Sequence, residues 1–213
     1  MNFRTFSHRN AETLFSYDER YQPLYQEVCS AIHSISERDI VDAYNTIQRE
    51  SKKSISQPIN NLIKERLTSF GWAAESPIFE DPEYNNKKTE RTTWRLDFAK
   101  EEISIEVAFN HGEATSWNLL KPVMASELNH VKKAIQTSAG IIICATKDLK
   151  TAGNFDGAVA EYEKILRYLK PMYNLLTAPL LIIGLEAPSC FHIDSDSKSV
   201  IIDHDLDIDQ IDE

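Results

Sequence analysis

The stretch from Leu96 to Phe109 reads LDFAKEEISIEVAF and predicts a β-hairpin. Two runs rich in apolar residues flank the polar turn at 100–102, a composition typical of two antiparallel strands and the turn between them. From Ile103 onward the odd-numbered residues are apolar, whereas Glu106 belongs to the even-numbered set. Because successive side chains of a strand point to opposite faces, Glu106 should lie on the face opposite the apolar set.

Asp97 and Glu106 are acidic residues inside these two otherwise apolar strands. The turn folds the strands back on each other, so both carboxylates can converge on one face of the sheet. A bare carboxylate there would cost several kcal/mol unless it were paired or bound to a cation. Two carboxylate oxygens, completed by water and a phosphate oxygen, suit Mg²⁺. The hairpin therefore predicts a metal site, although the spacing alone also fits an exposed acid pair with no role.

The sequence around the hairpin alternates between helical and strand patterns. Pro58 begins an amphipathic helix and Gly71 ends it, as those residue types commonly do. Further helices are predicted at 21–35, 40–47, 117–136 and 158–169, strands at 72–79, 140–145 and 179–185, and a polar loop at 147–157. We therefore expect an α/β fold with a central mixed β-sheet flanked by helices on both faces. It should form a single domain over 1–213, with a terminal hairpin (191–193 and 200–202) and an acidic tail at about 190–213.

The charge of the chain is unevenly distributed. The formal net charge is −10, which argues against nonspecific nucleic-acid binding because such binding needs clustered Lys and Arg. Eight acidic residues and one lysine fall between Asp194 and Glu213, and without this segment 22 basic residues stand against 25 acidic ones. A nearly neutral body can still carry a local basic cleft.

Several classes of protein have no support in the sequence. No apolar run approaches the ~20 residues of a membrane span, and the start of the chain lacks the apolar region of a secretion signal. Cys29, Cys144 and Cys190 have no metal-ligand spacing, so we expect reduced thiols in a cytoplasmic protein. The sequence also has no glycine-rich phosphate loop, no Ser/His/Asp arrangement and no zinc motif.

The hairpin and two other blocks resemble the BamHI/BglII/BstYI group of Type II restriction endonucleases, within the PD-(D/E)xK nuclease superfamily. Residues 96–109 look like the hairpin of this group, in which both acids bind metal. Residues 58–72, a helix ending in Gly-Trp, and 178–185, a late buried strand, are similar to segments of the group's sequences. The blocks follow one another in the same order as in the group. The resemblance covers about 54–188.

The resemblance implies a restriction endonuclease that hydrolyses phosphodiester bonds in a short palindromic double-stranded DNA site. A GATC-centred site, cut to leave 5′ overhangs, is the expectation carried over from the group. The cofactor would be Mg²⁺, with Mn²⁺ or Ca²⁺ able to substitute for binding, and no nucleotide cofactor or membrane is implied. The metal would be held by Asp97, Glu106 and the backbone carbonyl of Val107, with Glu75 as an additional catalytic acid. The helix predicted at 117–136 and its neighbours would build a homodimer, so that two active sites cut the two strands of a palindrome.

Ala108 departs from the group's pattern at the third catalytic position. The group has Lys, Glu or Gln there, which can position or help to activate the attacking water, and alanine can do neither. Three explanations are open: a substitution made to trap a complex, a naturally disabled or slow nuclease, and a replacement group from elsewhere. Glu75 and His111 are candidates for such a replacement.

Two polar loops, 110–116 and 147–156, correspond to loops that face the major groove in the resembling group. They combine hydrogen-bond donors and acceptors that can match base edges, although surface loops are also polar simply because they contact water. Together with a strand residue close to the metal, the candidates for DNA contact are Asn110, His111, Glu113, Thr115, Ser116, Lys147, Lys150, Thr151, Asn154, Asp156 and Arg95. Candidates for phosphate contacts alone are Lys52, Lys53, Lys87, Lys88 and Arg91.

Two other functions compete with the nuclease. A nuclease fold that has lost catalysis and only holds DNA in a sequence-specific way is favoured by Ala108. An α/β protein that acts through protein contacts is favoured by the net charge. Retention and cutting of plasmid DNA, with and without a divalent metal, would separate the three.

Overall fold

The computed structural model describes residues 1–47, 53–81, 83–84, 94–128 and 130–202. Its central element is a six-stranded mixed sheet with the strand order β1-β6-β5-β4-β3-β2. The strands of this sheet are β1 (Phe3–His8), β2 (Ala73–Pro77), β3 (Arg95–Lys100), β4 (Ile103–Val107), β5 (Ala139–Ala145) and β6 (Leu180–Leu185). A separate two-stranded ribbon pairs β7 (Phe191–Ile193) with β8 (Val200–Ile202).

Helices cover both faces of the sheet, which confirms the predicted fold class. They are α1 (Ala11–Tyr17), α2 (Gln22–His33), α3 (Glu37–Asn45), α4 (Ser56–Ser69), α5 (Thr115–Ser126), α6 (Lys147–Ala152) and α7 (Tyr162–Leu169). The core on one face combines α1 to α4 and α6 with the odd-numbered residues of β4 and β5. On the other face, α5 and α7 pack against the alternate residues of β5 and β6.

The strand pairing explains why the sheet is mixed. Strands β4, β5 and β6 run parallel, and their burial on both faces matches their continuous apolar sequences. Strands β2, β3 and β4 form an antiparallel meander, and β1 pairs antiparallel with β6 at the opposite edge. The predicted hairpin thus lies between the parallel centre of the sheet and its β2 edge.

The N-terminal segment contains a strand, whereas the sequence predicted only helices, at 21–35 and 40–47, in this part of the chain. Residues Phe3–His8 form β1, an edge strand whose burial alternates along its length. The alternation of apolar and polar residues in this six-residue segment is too weak to predict a strand. The strand forms because its backbone pairs with β6. The predicted helices at 21–35 and 40–47 are confirmed as α2 and α3.

The helix predicted at 117–136 is shorter than expected. Helix α5 ends at Ser126, and Glu127 is extended. The chain beyond it bonds to the segment that follows β2, through the amides of Glu80 and Ala134. Apolar residues farther along, such as Val131, pack against that edge of the sheet, so the apolar period continues although the helix does not.

Two further boundaries differ in the second half of the chain. The segment predicted as a polar loop at 147–157 begins with helix α6, which Thr146 caps by accepting a hydrogen bond from the Leu149 amide at 3.2 Å. Only Leu149 of this helix is buried, so its apolar period was too short to predict a helix. The helix predicted at 158–169 begins at Tyr162, because the residues before it bond to another loop.

The C-terminal hairpin is present as β7 and β8, whereas residues 203–213 of the acidic tail lie outside the described residues. Lys52, Lys87, Lys88 and Arg91 also lie outside them. None of the helices in the described ranges is both long and apolar enough to cross a bilayer.

Gly140, in β5, allows α5 to approach the sheet closely. A Cβ atom at this position would lie 2.5 Å from Cβ of Pro122 in α5 and 2.8 Å from Cδ2 of Leu180 in β6. Both neighbours are held in packed elements, so neither can move away without cost. The close packing of α5 against the sheet therefore requires glycine at position 140.

We expect Gly140→Ala to lower the free energy of unfolding by about 1–3 kcal/mol, the usual cost of overpacking a core. Urea denaturation followed by circular dichroism measures this change. Gly157→Ala is the matched control, since a Cβ there meets nothing within 4 Å. Equal stability of the two variants would contradict the close approach of α5.

Candidate active site

The register of the hairpin places Asp97 and Glu106 on the same face of the sheet. Ala99 pairs with Ser104 across β3 and β4. Asp97 precedes Ala99 by two residues and Glu106 follows Ser104 by two, so the strand period directs both acids to one side. The turn between the strands closes through Glu101, which has a φ of 47°. The metal-site prediction required both acids to lie on one face of the sheet, and the register of the strands meets this requirement.

The carboxylate of Asp97 reaches the end of the neighbouring strand. Its Oδ2 atom accepts a hydrogen bond from the backbone amide of Val107 at 2.6 Å. This bond fixes the side chain beside the residue that follows Glu106. The position of Asp97 is therefore set by backbone geometry.

Glu106 is almost completely enclosed, with 1% of the residue exposed. Its Oε2 atom forms an ion pair with the ammonium of Lys121, which α5 brings from above the hairpin. Its Oε1 atom is buried and has no hydrogen-bond partner among the described residues. An unsatisfied buried carboxylate oxygen carries a desolvation cost that a bound cation would offset.

Burial raises the pKa of both acids. For Glu106, desolvation and then the negative charge of Asp97 raise the pKa to about 8, although the charge of Lys121 favours the ionised form. For Asp97, desolvation raises the pKa, and the hydrogen bond from Val107 opposes that change. Two carboxylates that resist ionisation side by side are the arrangement that a divalent cation stabilises.

The donor atoms at this position fit a hard divalent cation. Asp97 and Glu106 offer carboxylate oxygens, and the predicted third ligand, the carbonyl of Val107, belongs to the residue whose amide Asp97 binds. Within the described ranges, no three His, Cys, Asp or Glu side chains gather into a metal cluster. An ion held by two carboxylates that keeps several waters is the usual coordination of Mg²⁺.

Glu75 lies beside this acid pair. It falls between the β2–β3 pairs Ala74–Phe98 and Ser76–Leu96, opposite Asp97, and its φ of 50° is unusual for a residue within a strand. Its negative charge contributes to the raised pKa of Asp97. The predicted additional acid is thus near the pair, although it is exposed.

Ala108 lies on the same face as Glu106 and is buried, with 3% exposed. It packs in the core cluster that contains Leu119 and Val123 of α5. Its methyl group carries no polar atom that could position a water. The cation in contact with Glu106 is Lys121, which the sequence analysis did not single out.

The first predicted DNA-reading loop, 110–116, bonds to the segment that directly follows the second, 147–156. His111 forms an isolated β-bridge with Val159, and the amide of Gly112 donates to the carbonyl of Ala158 at 2.7 Å. Behind these backbone contacts, the rings of Phe109 and Phe155 stack edge to face, with their centroids 5.5 Å apart. The loops are therefore joined through the start of the chain segment that leads into α7.

An open groove of about 580 Å³ runs along the joined loops. It is lined by Lys53, His111, Asn154 and Asp156 among others. A second groove of about 350 Å³ shares Ser56, Gln57 and Phe109 with the first and extends to Val107 and Asn110. The shared lining connects the reading loops to the strand end that carries the acids.

The remaining predicted DNA-contact residues have different surroundings. Thr115 is 2% exposed, and the ammonium of Lys150 is bonded to the carbonyls of Gly157 and Val159 and to Glu161, so the structure directs neither group to solvent. Of the others, the exposed or partly exposed residues are Arg95, Glu113, Ser116, Lys147 and Thr151. The hydroxyl of Thr151 donates within α6.

The chain was compared with known protein families and structures. The family model "Restriction endonuclease BglII/BglIII" matches residues 3–185. The chain belongs to this family. No curated protein sequence gives a significant match.

Two solved structures of a family member are similar in fold. The crystal structure of restriction endonuclease BglII complexed with a DNA 16-mer has a TM-score of 0.63 at 16% identity, covering 94% of this chain and 87% of that one. The crystal structure of free BglII has a TM-score of 0.53 at 18% identity, covering 88% of this chain and 81% of that one. At these identities the likeness concerns the fold.

Because the chain belongs to a restriction endonuclease family, residues near the candidate site that the sequence did not indicate become candidates for a functional role. Lys121 falls within an amphipathic helical pattern, in which a lysine is expected to contact solvent. The pattern therefore did not indicate a role for it. Ser56, Gln57 and Asn60 line the grooves from the start of α4, and the charge of Lys64 acts on Asp97. The recurrence of polar residues at 57, 60, 61 and 64 on one side of α4 was the available signal.

The raised pKa of Glu106 predicts that the metal-free protein loses stability as the pH rises. Between its ordinary pKa of 4.5 and the folded value of about 8, the folded chain keeps a proton that the unfolded chain has released, so the free energy of unfolding falls with pH. Chemical denaturation at several pH values in a chelating buffer measures this slope. Glu106→Gln should flatten it, whereas Glu65→Gln, at an exposed position, should not.

Adding Ca²⁺ at pH 8 should raise the stability of the wild-type protein and not that of Glu106→Gln. A slope that is unchanged in Glu106→Gln would show that the buried carboxylate is not its source.

Proposed function

We propose that this protein cleaves double-stranded DNA at a short palindromic site in an Mg²⁺-dependent reaction, and that a GATC-centred site with 5′ overhangs is the first to test. The observation that carries the proposal is the convergence of Asp97 and Glu106, with one buried oxygen of Glu106 unpaired among the described residues. Family membership supplies the reaction class, and the adjoining grooves supply a surface for the substrate.

The proposed metal ligands are Asp97, Glu106 and the backbone carbonyl of Val107. Bound there, Mg²⁺ would polarise a phosphoryl oxygen, lower the pKa of a bound water and neutralise the leaving oxygen. In the hydrolysis, a water loses a proton as its oxygen bonds to phosphorus, the P–O3′ bond breaks, and the departing O3′ takes up a proton. Glu75, beside Asp97, adds negative charge that strengthens the attraction for a divalent ion.

In this proposal, side chains along the two grooves orient the DNA. Asn110, His111, Asn154 and Asp156 line the grooves with donors and acceptors that suit base edges. Lys53 and Lys64 are exposed cations on the groove side of α4 and its approach, where they suit phosphates. Thr115 is buried at the first residue of α5, and Lys150 holds the loop before α7 through the carbonyls of Gly157 and Val159.

The net charge does not oppose this surface, because the acidic excess is concentrated near the C-terminus. Outside residues 194–213 the chain is nearly neutral. Specific binding can then rest on a few lysines together with base-edge contacts, and affinity should fall as salt rises.

Catalytically inactive, sequence-specific DNA binding is the second candidate function, and Ala108 is the observation that favours it. Alanine cannot position or activate a water. The ion pair between Lys121 and Glu106 opposes this alternative, because the centre retains a buried cation. The two candidates agree on binding and differ on cleavage.

Plasmid DNA incubated with Mg²⁺ or Mn²⁺ should give discrete fragments, and Asp97→Asn should slow the cutting by about 10²–10³-fold. This follows from the several kcal/mol that a catalytic metal supplies. Gel shifts with Ca²⁺ measure DNA retention separately. Asp42→Asn, on the exposed side of α3, is the control and should cut normally. Retention of a specific fragment without any cutting by the wild type would favour the inactive binder instead.

We also propose that the protein acts as a homodimer, because a palindrome presents the same bases to two symmetric subunits. The exposed apolar side chains Leu128 (83%), Tyr173 (51%) and Leu175 (62%) support this. Glu127, next to Leu128, is bonded to Thr177, two residues after Leu175, so these side chains lie on one part of the surface. Exposed apolar patches of this kind mark protein interfaces.

The double variant Leu128→Glu/Leu175→Glu should be monomeric in size-exclusion chromatography with light scattering, because charges would have to be buried on association. Tyr17→Glu is the control, since Tyr17 is equally exposed (83%) but lies outside this patch. A wild-type protein that is already monomeric, with and without DNA, would contradict the dimer.

A further inference from the structure

Helix α5 presents a stripe of buried residues to the hairpin. Asn118, Lys121 and Ala125 are all buried and recur at the spacing of one helix face. Asn118 donates to Oδ1 of Asn110 at 2.9 Å, and Ala125 packs in the cluster that contains two residues of β3. Lys121 lies between them and meets Glu106. Its contact is therefore fixed at both ends by neighbouring contacts of the same helix.

The burial of this lysine is costly for folding alone. Only 11% of its side chain is exposed, and 2% of that of Glu106. Taking both charges out of water costs more than a surface ion pair returns, and apolar residues of similar size would often stabilise the fold as well or better. A buried ion pair against a carboxylate with one unsatisfied oxygen is thus better explained by the chemistry of the site than by stability.

Charge balance also indicates a role for a cation at this position. Asp97 and Glu106 converge, the exposed Glu75 adds negative charge that acts on Asp97, and a DNA phosphate adds more. Negative charge grows on the phosphoryl oxygens during hydrolysis, and a preorganised positive group stabilises it. Lys121 and Lys64 are the lysines whose charges act on Asp97, and of these Lys121 is buried whereas Lys64 is exposed.

We propose that Lys121 replaces, from helix α5, the polar side chain missing at Ala108, and that it is a positioning residue for cleavage. It holds Glu106 in its orientation, and its positive charge acts on the site through that carboxylate. The small side chain of Ala108 fits the same arrangement, since this position is buried against Leu119 and Val123 of α5 and has little room for a long side chain. This inference rests on the proposed nuclease function.

Four proteins test the proposal: wild type, Lys121→Met, Ala108→Lys, and the double variant Lys121→Met/Ala108→Lys. Single-turnover cleavage in Mg²⁺, DNA affinity in Ca²⁺ by fluorescence anisotropy, and circular dichroism are measured for each. Lys100→Met is the matched control, because it also removes a partly buried Lys–Glu pair of the hairpin, the 2.8 Å contact between Lys100 and Glu27, but not at Glu106.

Lys121→Met should slow cleavage by about 10²–10³-fold, as loss of a transition-state donor does, while it still folds and binds DNA in Ca²⁺. The double variant should recover at least about tenfold of that loss by returning a cation to the strand. Ala108→Lys alone should cut more slowly than the wild type, because two cations would then share one carboxylate. Lys100→Met should cut normally.

Cleavage by Lys121→Met within about threefold of the wild type would overturn the proposal, and so would a double variant no faster than Lys121→Met. If Lys121→Met does not fold, Lys121→Arg and Lys121→Gln replace it, and equal cleavage by these two would overturn the proposal. If all variants and the wild type bind DNA but never cut, the nuclease function itself fails, a pattern distinct from the loss of the Lys121 effect alone.

Discussion

The carboxylate of Glu106 is enclosed between the β3–β4 hairpin and α5, with Lys121 on one oxygen and no hydrogen-bond partner from the described residues on the other. Such a group is stable only if its charge is compensated or its proton retained. Lys121 of α5 compensates one oxygen of Glu106. In the proposed function, a divalent cation bound by Glu106 and by Asp97, which the amide of Val107 holds in place, would compensate the other.

The rest of the structure holds this pair in place. The parallel strands β4 and β5 fix Glu106 from one side, and Gly140 lets α5 approach close enough for Lys121 to reach it. On the opposite face, the large core formed by α1 to α4 packs against Ile103, Ile105 and Val107. A change in either packing layer would therefore alter the contact between Lys121 and Glu106 without touching either residue.

Local patterns allowed the centre of the fold to be predicted, and tertiary contacts determined what was missed. The hairpin and strands β5 and β6 have strong periods or long apolar runs, and they formed as expected. Strand β1 depends on pairing with β6, α5 ends where the chain turns to pair with the segment after β2, and α6 relies on the Thr146 cap. None of these causes is visible in an apolar period.

The candidate site shows the same division. Asp97 and Glu106 could be proposed from the sequence because their strand context makes a bare carboxylate costly. Lys121 could not, because a lysine on an amphipathic helix is normally solvated, and its burial follows from where α5 lies on the sheet. Conversely, Thr115 and Lys150 were predicted from polar loops, but the fold turns both inward.

Because Lys121 belongs to α5, the same helix contacts both the candidate metal site and the proposed DNA-reading surface. Asn118, one turn before Lys121, holds Asn110, and Asn110 lines the groove that reaches Val107. A polar side chain at position 108 would be attached to the backbone at the end of β4. Lys121 instead belongs to a helix that also contacts the loop at Asn110. The loop at Asn110 and the carboxylate of Glu106 are thus both held by side chains of the same helix.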